Sequence, residues 1–187
     1  MNDKAVHEIM VPLADYPCIS EVHTLRQAIE EMTKVQILRY QQATLARVAL
    51  VFDRSYRELL GTLGRRDIMR GLEPRFLLSG SMEYERKLFA VEVDPNLAEL
   101  SSGKIIARMR ERADRTVRDF MVPITATIGY DDHLMKAIYE MVRQNTSLLP
   151  VLKEGKVVGV VRSVDLLNEI ALIINAPATG CEAPGGS

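Results

Sequence analysis

Two aspartates with basic neighbours stand at matched places in the chain. Asp67 and Asp165 each follow a glycine, Gly61 or Gly159, by six residues. Arg65 and Arg66 directly precede Asp67, and Arg162 and Ser163 stand three and two residues before Asp165. A carboxylate in the first turn of a helix offsets the helix dipole and can cap free amides, while a guanidinium can grip a phosphate with its forked donors. From the residues alone, a solvated helix start and a ligand-binding turn both remain open.

Other residue types that could do chemistry are scattered. His7, His23 and His133 share no spacing with cysteines or carboxylates that would suit zinc. The chain has no nucleophile elbow, no phosphate-binding loop and no pair of catalytic acids. Cys18 and Cys181 are lone thiols in dissimilar settings, which indicates a reducing cytoplasm. We therefore expect no catalytic residue, no metal site and no enzymatic activity.

The composition is that of a globular protein. Of 187 residues, 47% are hydrophobic and 26% are charged, enough for one ordinary domain or two small ones packed together. A formal charge of -1 provides no global attraction to nucleic acid or anionic lipid. The longest apolar runs, residues 48–52 and 170–174, are far too short to span a membrane, and no apolar stretch near the N-terminus reads as a signal peptide.

An internal repeat organises the chain. The segment "VHEIMVPL" from Val6 returns as "VRDFMVPI" from Val117. Each copy continues with an amphipathic helix, two short apolar runs that predict a strand pair, and a second helix at the aspartate. Thr24 and Gln27 have the form of a capping box at the start of the first helix. The first copy carries nine extra residues between that helix and its strand pair.

The segment between the copies, residues 73–115, predicts a helical connector. Asp94 and Pro95 resemble a helix start, and the charge order of residues 81–91 favours another short helix. The tail, residues 175–187, is rich in Gly, Pro and Ala and predicts disorder.

The two copies resemble the CBS domain pair, also called the Bateman module. The second copy, "MVPITATIGYDDHLMKAIYEMVRQNTSLLPVLKEGKVVGVVRSVDLL", follows the family pattern closely, and the first matches in "IMVPL", "TLRQAIEEM" and "LLGTLGRRDIM". The resemblance implies an α/β fold of the α+β type. It would consist of two β-α-β-β-α repeats, residues 1–72 and 116–174, packed through their sheets about a pseudo-two-fold axis and joined by the connector.

The resemblance also implies a function. CBS pairs often hold adenosine-containing ligands, such as AMP, ADP, ATP or S-adenosylmethionine, in two clefts, and the aspartate of the motif binds the ribose hydroxyls. The implied ligand-binding residues here are Asp165, Arg162, Ser163, Asp67, Gly64, Arg65, Thr125, Leu149 and Pro150. The chain departs from the motif where the family has Thr, because Gly64 and Arg162 stand there. This departure puts phosphate binding in question, although Arg162 and Ser163 could substitute for the lost hydroxyl.

Three functional hypotheses follow. The leading one is a regulatory module that senses an adenine nucleotide or related ligand and acts on an unidentified protein partner. The alternative is an interaction scaffold without nucleotide binding, and a weaker one is nucleic-acid binding through the Arg-rich connector. We also expect a homodimer formed through the helices after Thr24 and His133. Because the second repeat keeps the family spacing, Asp165→Ala should cost more nucleotide affinity than Asp67→Ala.

Overall fold

A computed structural model describes residues 4–39, 42–73 and 102–175. The helices in these ranges are α1 (Val6–Ile9), α2 (Leu25–Lys34), α3 (Arg65–Leu72), α4 (Ser102–Ala113), α5 (Leu134–Arg143) and α6 (Ser163–Asn175). The strands are β1 (Val11–Pro12), β2 (Cys18–Ser20), β3 (Gln36–Arg39), β4 (Gln42–Leu45), β5 (Val48–Phe52), β6 (Leu59–Gly64), β7 (Val122–Pro123), β8 (Ile128–Gly129), β9 (Leu148–Lys153) and β10 (Lys156–Arg162).

The described chain divides into two compact units that do not follow the repeats along the sequence. The outer unit is built from the two ends of the chain, residues 4–14 and 125–175. The inner unit is built from the middle, residues 15–73 and 102–124. Each unit has a four-stranded sheet, with strand order β1-β10-β9-β8 in the outer unit and β2-β5-β6-β7 in the inner one.

The repeats therefore exchange their first strands. Strand β1, from the start of the first repeat, pairs antiparallel with β10 of the second. Strand β7, from the start of the second repeat, pairs antiparallel with β6 of the first. Each sheet is completed by a strand from the other repeat.

The predicted local elements are confirmed. The two apolar runs of each repeat form antiparallel pairs, β5 with β6 and β9 with β10. Thr24 caps α2 as the capping box predicts: its Oγ1 accepts from the Gln27 amide at 3.2 Å, and the Gln27 side chain accepts from the Thr24 amide at 2.9 Å. The mixed α+β architecture with two repeats is the one expected from the sequence.

The extra residues of the first repeat include a strand pair that was not predicted from the sequence. Strands β3 and β4 pair antiparallel with Gln36 opposite Leu45. Their sequences, "QILR" and "QATL", are short and mix polar with apolar residues, so they carry little strand signal of their own.

Each unit has its own hydrophobic core. The outer core consists of Val6, Ile9, Ile128, Leu134, Ala137, Met141, Leu149, Val151, Val161 and Leu166. The inner core consists of Ile19, Leu25, Ala28, Met32, Ala49, Val51, Leu63, Ile68 and Val117. Val6 and Val117, the matched first residues of the repeat, thus lie in different cores and both are fully buried.

The predicted connector contains a helix, α4, which packs against α3 in the inner unit. Arg112 of α4 donates from Nε to the carbonyl oxygen of Gly71 in α3 at 2.7 Å. The predicted helix start at Asp94, the short helix at residues 81–91 and the tail from residue 176 onward lie outside the described residues. Asn175, placed in the tail by the sequence analysis, is the last residue of α6.

Both exchanged strands run closely past a glycine. A Cβ added to Gly61 would stand 2.5 Å from the carbonyl oxygen of Val122, and one added to Gly159 would stand 2.5 Å from that of Val11. Neither distance is possible without a shift of backbone. Only glycine lets β7 and β1 pair at these positions.

Gly61→Ala and Gly159→Ala should therefore each destabilise the protein by about 1–3 kcal/mol, since the exchanged strand must move away. Gly103→Ala is the matched control, because Gly103 is helical and has open space around its Cβ position, so alanine should stabilise that helix by up to ~1 kcal/mol. Urea unfolding of the three variants measures the effects. An unchanged stability for Gly159→Ala would contradict the close approach.

Candidate functional site

The inner aspartate caps a helix. Asp67 lies in the first turn of α3, and its Oδ2 accepts from the amide of Gly64 at 3.0 Å. Its Oδ1 lies 3.3 Å from Nη1 of Arg70, a largely exposed side chain. The side chain of Asp67 is 15% exposed, so part of the carboxylate remains open to solvent. The capping role proposed from the sequence is confirmed, and it leaves room for a further hydrogen-bond donor.

The outer aspartate is engaged differently. Asp165 lies in the first turn of α6 and is 1% exposed. The Arg162 guanidinium donates to both of its oxygens, from Nε to Oδ2 at 2.6 Å and from Nη2 to Oδ1 at 2.7 Å. This is a bidentate, partly buried ion pair, the strong geometry for arginine and carboxylate. The Arg162 guanidinium, which the sequence suggested as a substitute phosphate ligand, is therefore bonded to Asp165.

A second buried acid lies one helical turn beyond Asp165. Glu169 is 5% exposed, and its Oε2 accepts from Nζ of Lys4 at 2.5 Å. Glu169 was not predicted from the sequence, although its spacing of four residues from Asp165 places the two acids on one face of the helix. The inner unit has Gly71 at the corresponding place, where a Cβ would collide with the Leu25 side chain at 2.5 Å.

The remaining predicted site residues are placed in several environments. Arg65 is exposed and donates to the backbone carbonyls of Ala46 and Leu45 at 3.2 and 3.3 Å. Ser163 and Thr125 are exposed. Leu149 is fully buried in the outer core and Pro150 is buried beside it in β9, so the Leu149 side chain acts as core packing and not as an accessible ligand contact.

Cys18 lines a cleft of about 310 Å³ in the inner unit, together with His23, Gln27, Glu30, Glu31, Lys34 and Tyr56. Its Sγ donates to the carbonyl oxygen of Tyr16 at 3.4 Å. Burial, and to a smaller extent the negative charge of Glu31, raises the pKa of the Cys18 thiol to about 11. The thiol is therefore protonated, and unreactive as a nucleophile, at neutral pH.

The raised pKa predicts slow alkylation of Cys18. At pH 8 iodoacetamide should modify it at least ~10-fold slower than glutathione, because only about one thiol in a thousand is ionised and the higher nucleophilicity of a more basic thiolate offsets only part of that loss. The rate should keep rising up to about pH 11, since the thiolate forms only as pH approaches the raised pKa. Mass spectrometry of the Cys18 peptide provides the rates, and a plateau near pH 9 would contradict the burial effect.

The described residues contain no group of three or more His, Cys, Asp or Glu side chains that is placed to hold a metal ion. Each helix in the described ranges is too short or too polar to traverse a lipid bilayer.

Comparisons with known proteins agree with this architecture. The CBS domain family model matches residues 6–74 and again residues 117–172, together more than half of the chain. No curated protein matches the chain in sequence.

Solved structures share the fold. The CBS domain of a CBS domain containing membrane protein from Sphaerobacter thermophilus has a TM-score of 0.62 and 20% identity, covering 89% of this chain and 87% of its own. The CBS domain of the bacterial CNNM/CorC family Mg²⁺ transporter in complex with ATP has a TM-score of 0.57 and 16% identity, covering 90% and 87%. CBSX2 in complex with AMP has a TM-score of 0.57 and 13% identity, covering 91% and 98%. With two matched repeats and two four-stranded sheets, the chain belongs to the CBS domain family.

Proposed function

We propose that the chain is a regulatory module that binds an adenine nucleotide through Asp67 and Asp165 and transmits the bound state to a protein partner. The observation that carries this proposal is the pair of carboxylates at equivalent strand-to-helix turns of two CBS repeats. A carboxylate can accept from both hydroxyls of a ribose, and such charge-assisted hydrogen bonds are stronger than neutral ones.

The relatives support a nucleotide as the ligand. One has been solved with ATP and another with AMP. In the inner unit, Asp67 keeps an exposed portion and its Arg70 neighbour is a solvated cation near which a phosphate could lie. The three arginines at or near the two turns, Arg65, Arg66 and Arg162, are the phosphate-binding candidates.

A thermal-shift titration tests the proposal. A nucleotide at one hundred times its dissociation constant stabilises the folded state by about 2.7 kcal/mol, which corresponds to a shift of about 5–10 °C for a protein of this size. We expect AMP, ADP or ATP to give such a shift, and 2′-deoxy-AMP a smaller one because it lacks one ribose hydroxyl. The variant with Asp67→Asn and Asp165→Asn is the control. Equal shifts with the deoxy compound would contradict the diol contact.

The second candidate function is a scaffold that does not bind nucleotide. The observation in its favour is the closed Arg162–Asp165 ion pair, which occupies both oxygens of one of the two carboxylates. A protein that shows no thermal shift with any adenosine compound would support the scaffold.

We further propose that the chain forms a homodimer through the outer unit. Helix α5 exposes Met135, Tyr139 and Val142, which are 60%, 59% and 78% accessible and share one helix face. Helix α6, which packs against α5, exposes Val164, Leu167, Leu172, Ile173 and Ile174. Helix α2, which was also expected to contribute, buries or half-buries its apolar side chains. A second copy of the same face is the simplest partner for this surface.

Light scattering at micromolar concentration should give about 42 kDa, twice the 21.0 kDa of one chain. Val142→Glu should shift the mass toward one chain, because burying an unpaired charge in an apolar contact is unfavourable. Thr33→Glu, which adds the same charge to an exposed position of α2, should leave the dimer intact. A single-chain mass for the unmodified protein would refute the dimer.

A further inference from the structure

The Asp67 and Asp165 carboxylates accept hydrogen bonds from different donors. In each case the donor that differs belongs to the residue three positions before the aspartate. Gly64 precedes Asp67 and brings only its backbone amide. Arg162 precedes Asp165 and brings a guanidinium that holds both carboxylate oxygens. The equivalent turns of the two repeats are therefore chemically unequal.

The outer carboxylate is enclosed together with Arg162. Asp165 is 1% exposed and the Arg162 side chain 12%, so the pair is nearly closed to solvent. A ribose that uses Asp165 as its acceptor must move Arg162, because almost none of the carboxylate is open to solvent and both oxygens already accept from the guanidinium. Separating a buried ion pair without replacing either partner is strongly unfavourable.

We propose that Arg162 is a specificity-determining residue, one that releases Asp165 only to a ribose ligand carrying its own anionic group. This inference rests on the proposed function and goes beyond it by selecting among the adenosine ligands. In the exchange, the ribose hydroxyls donate to Asp165 and the ligand's anion accepts from Arg162. Each charged group leaves one partner and gains another.

A phosphate suits this exchange better than the alternatives. Its oxygens accept a guanidinium fork in the same bidentate manner as a carboxylate. Adenosine brings no anion and would leave Arg162 without its Asp165 bonds. S-adenosylmethionine has a sulfonium cation at the carbon where a nucleotide carries phosphate, and its carboxylate lies farther out on the methionyl chain, so a positive charge and not an anion would face Arg162. The outer site should therefore favour AMP, ADP or ATP over both.

The inner site lacks this requirement. Gly64 has no side chain, and the cation nearest to Asp67, Arg70, is 64% exposed and can turn into water at little cost. Adenosine and AMP should differ less there. The chain would then hold one site that accepts the nucleoside moiety broadly and one that demands the phosphate.

Calorimetric titration with adenosine and with AMP tests the inference in the full chain carrying Asp67→Asn, which silences the inner carboxylate. With Arg162 present, AMP should bind at least ~100-fold more tightly than adenosine. With Arg162→Gln added, the preference should fall below ~10-fold and adenosine should bind more tightly than before.

Arg143→Gln, which removes a 58% exposed guanidinium from the same unit, is the matched control and should keep the preference for AMP over adenosine. Arg162→Lys serves if the glutamine variant does not fold, since it keeps the charge but loses the fork.

The outcomes separate the inference from the proposed function. If AMP binds but the Arg162 variants keep the full preference, the role of Arg162 is refuted and nucleotide binding stands. If the Arg162-containing chain binds nothing while Arg162→Gln binds adenosine, Arg162 blocks the outer site instead of releasing it to a phosphate, and the inference is refuted. If neither chain binds either ligand, the inference is refuted as well, whereas the thermal shift of the chain that keeps Asp67 decides on the proposed function.

Discussion

Residues 15–124, expressed alone, should fold cooperatively, whereas residues 1–72, the first repeat as the sequence defines it, should not. The inner unit is one continuous stretch of chain and contains all four strands of its sheet. The fragment 1–72 lacks β7, which pairs with β6, and lacks Val117, which is fully buried in the inner core. It also carries residues 4–14, whose sheet partner β10 is missing.

The lost contacts are large relative to the stability of a small domain. Burial of a valine contributes about 1.5–3 kcal/mol and each backbone hydrogen bond about 1 kcal/mol, against a total stability of about 5–15 kcal/mol. Val117 donates to the carbonyl of His23 at 2.8 Å and Leu25 donates to that of Arg115 at 2.9 Å, and fragment 1–72 loses both bonds. Circular dichroism during urea unfolding distinguishes the fragments. A sigmoidal transition for 1–72 and none for 15–124 would overturn the division into units.

Asp165→Ala should destabilise the protein by about 3–5 kcal/mol, because it removes both bonds of a partly buried guanidinium. Asp67→Ala at the equivalent turn should cost only about 1 kcal/mol, the usual loss for a helix cap, since its cationic neighbour is exposed. Chemical unfolding of the two variants provides the comparison.

A double variant tests the cause of the larger loss. Asp165→Leu combined with Arg162→Met should regain much of the stability, because an apolar pair of similar size needs no charge compensation. Equal losses in the two single variants would show that the ion pair contributes little. Since alanine at position 165 perturbs folding, the expected difference in nucleotide affinity between the two sites is better measured with asparagine.

Local features were predictable from the sequence because local forces determine them. The cap at Thr24 and the strand pairs β5–β6 and β9–β10 depend on neighbouring residues and on alternating apolar side chains. The repeat itself located both aspartates at helix starts. The ion pair at Asp165 was only partly predictable: the spacing of Arg162 and Asp165 permits it, but burial by the surrounding unit decides between a ligand-facing fork and an internal one.

The strand exchange could not be predicted from the repeat. The two first strands have nearly the same sequence, "MVPL" and "MVPI", so each would fit either sheet by composition. Gly61 and Gly159 do not indicate which strand pairs with which sheet either, because each of them allows the same close approach of a carbonyl oxygen from the neighbouring strand. The choice is made by the path of the whole chain, which no short pattern encodes.

The strand exchange has a consequence for the timing of biosynthesis. Strand β1 is synthesised well before its partner β10, which begins only at Lys156, 144 residues after Pro12. At about 5–20 residues per second, the first strand waits roughly 7–30 s without a partner. The inner unit is completed earlier, so it can fold while residues 4–14 still lack their sheet partner. The outer sheet closes only after β10 has been synthesised.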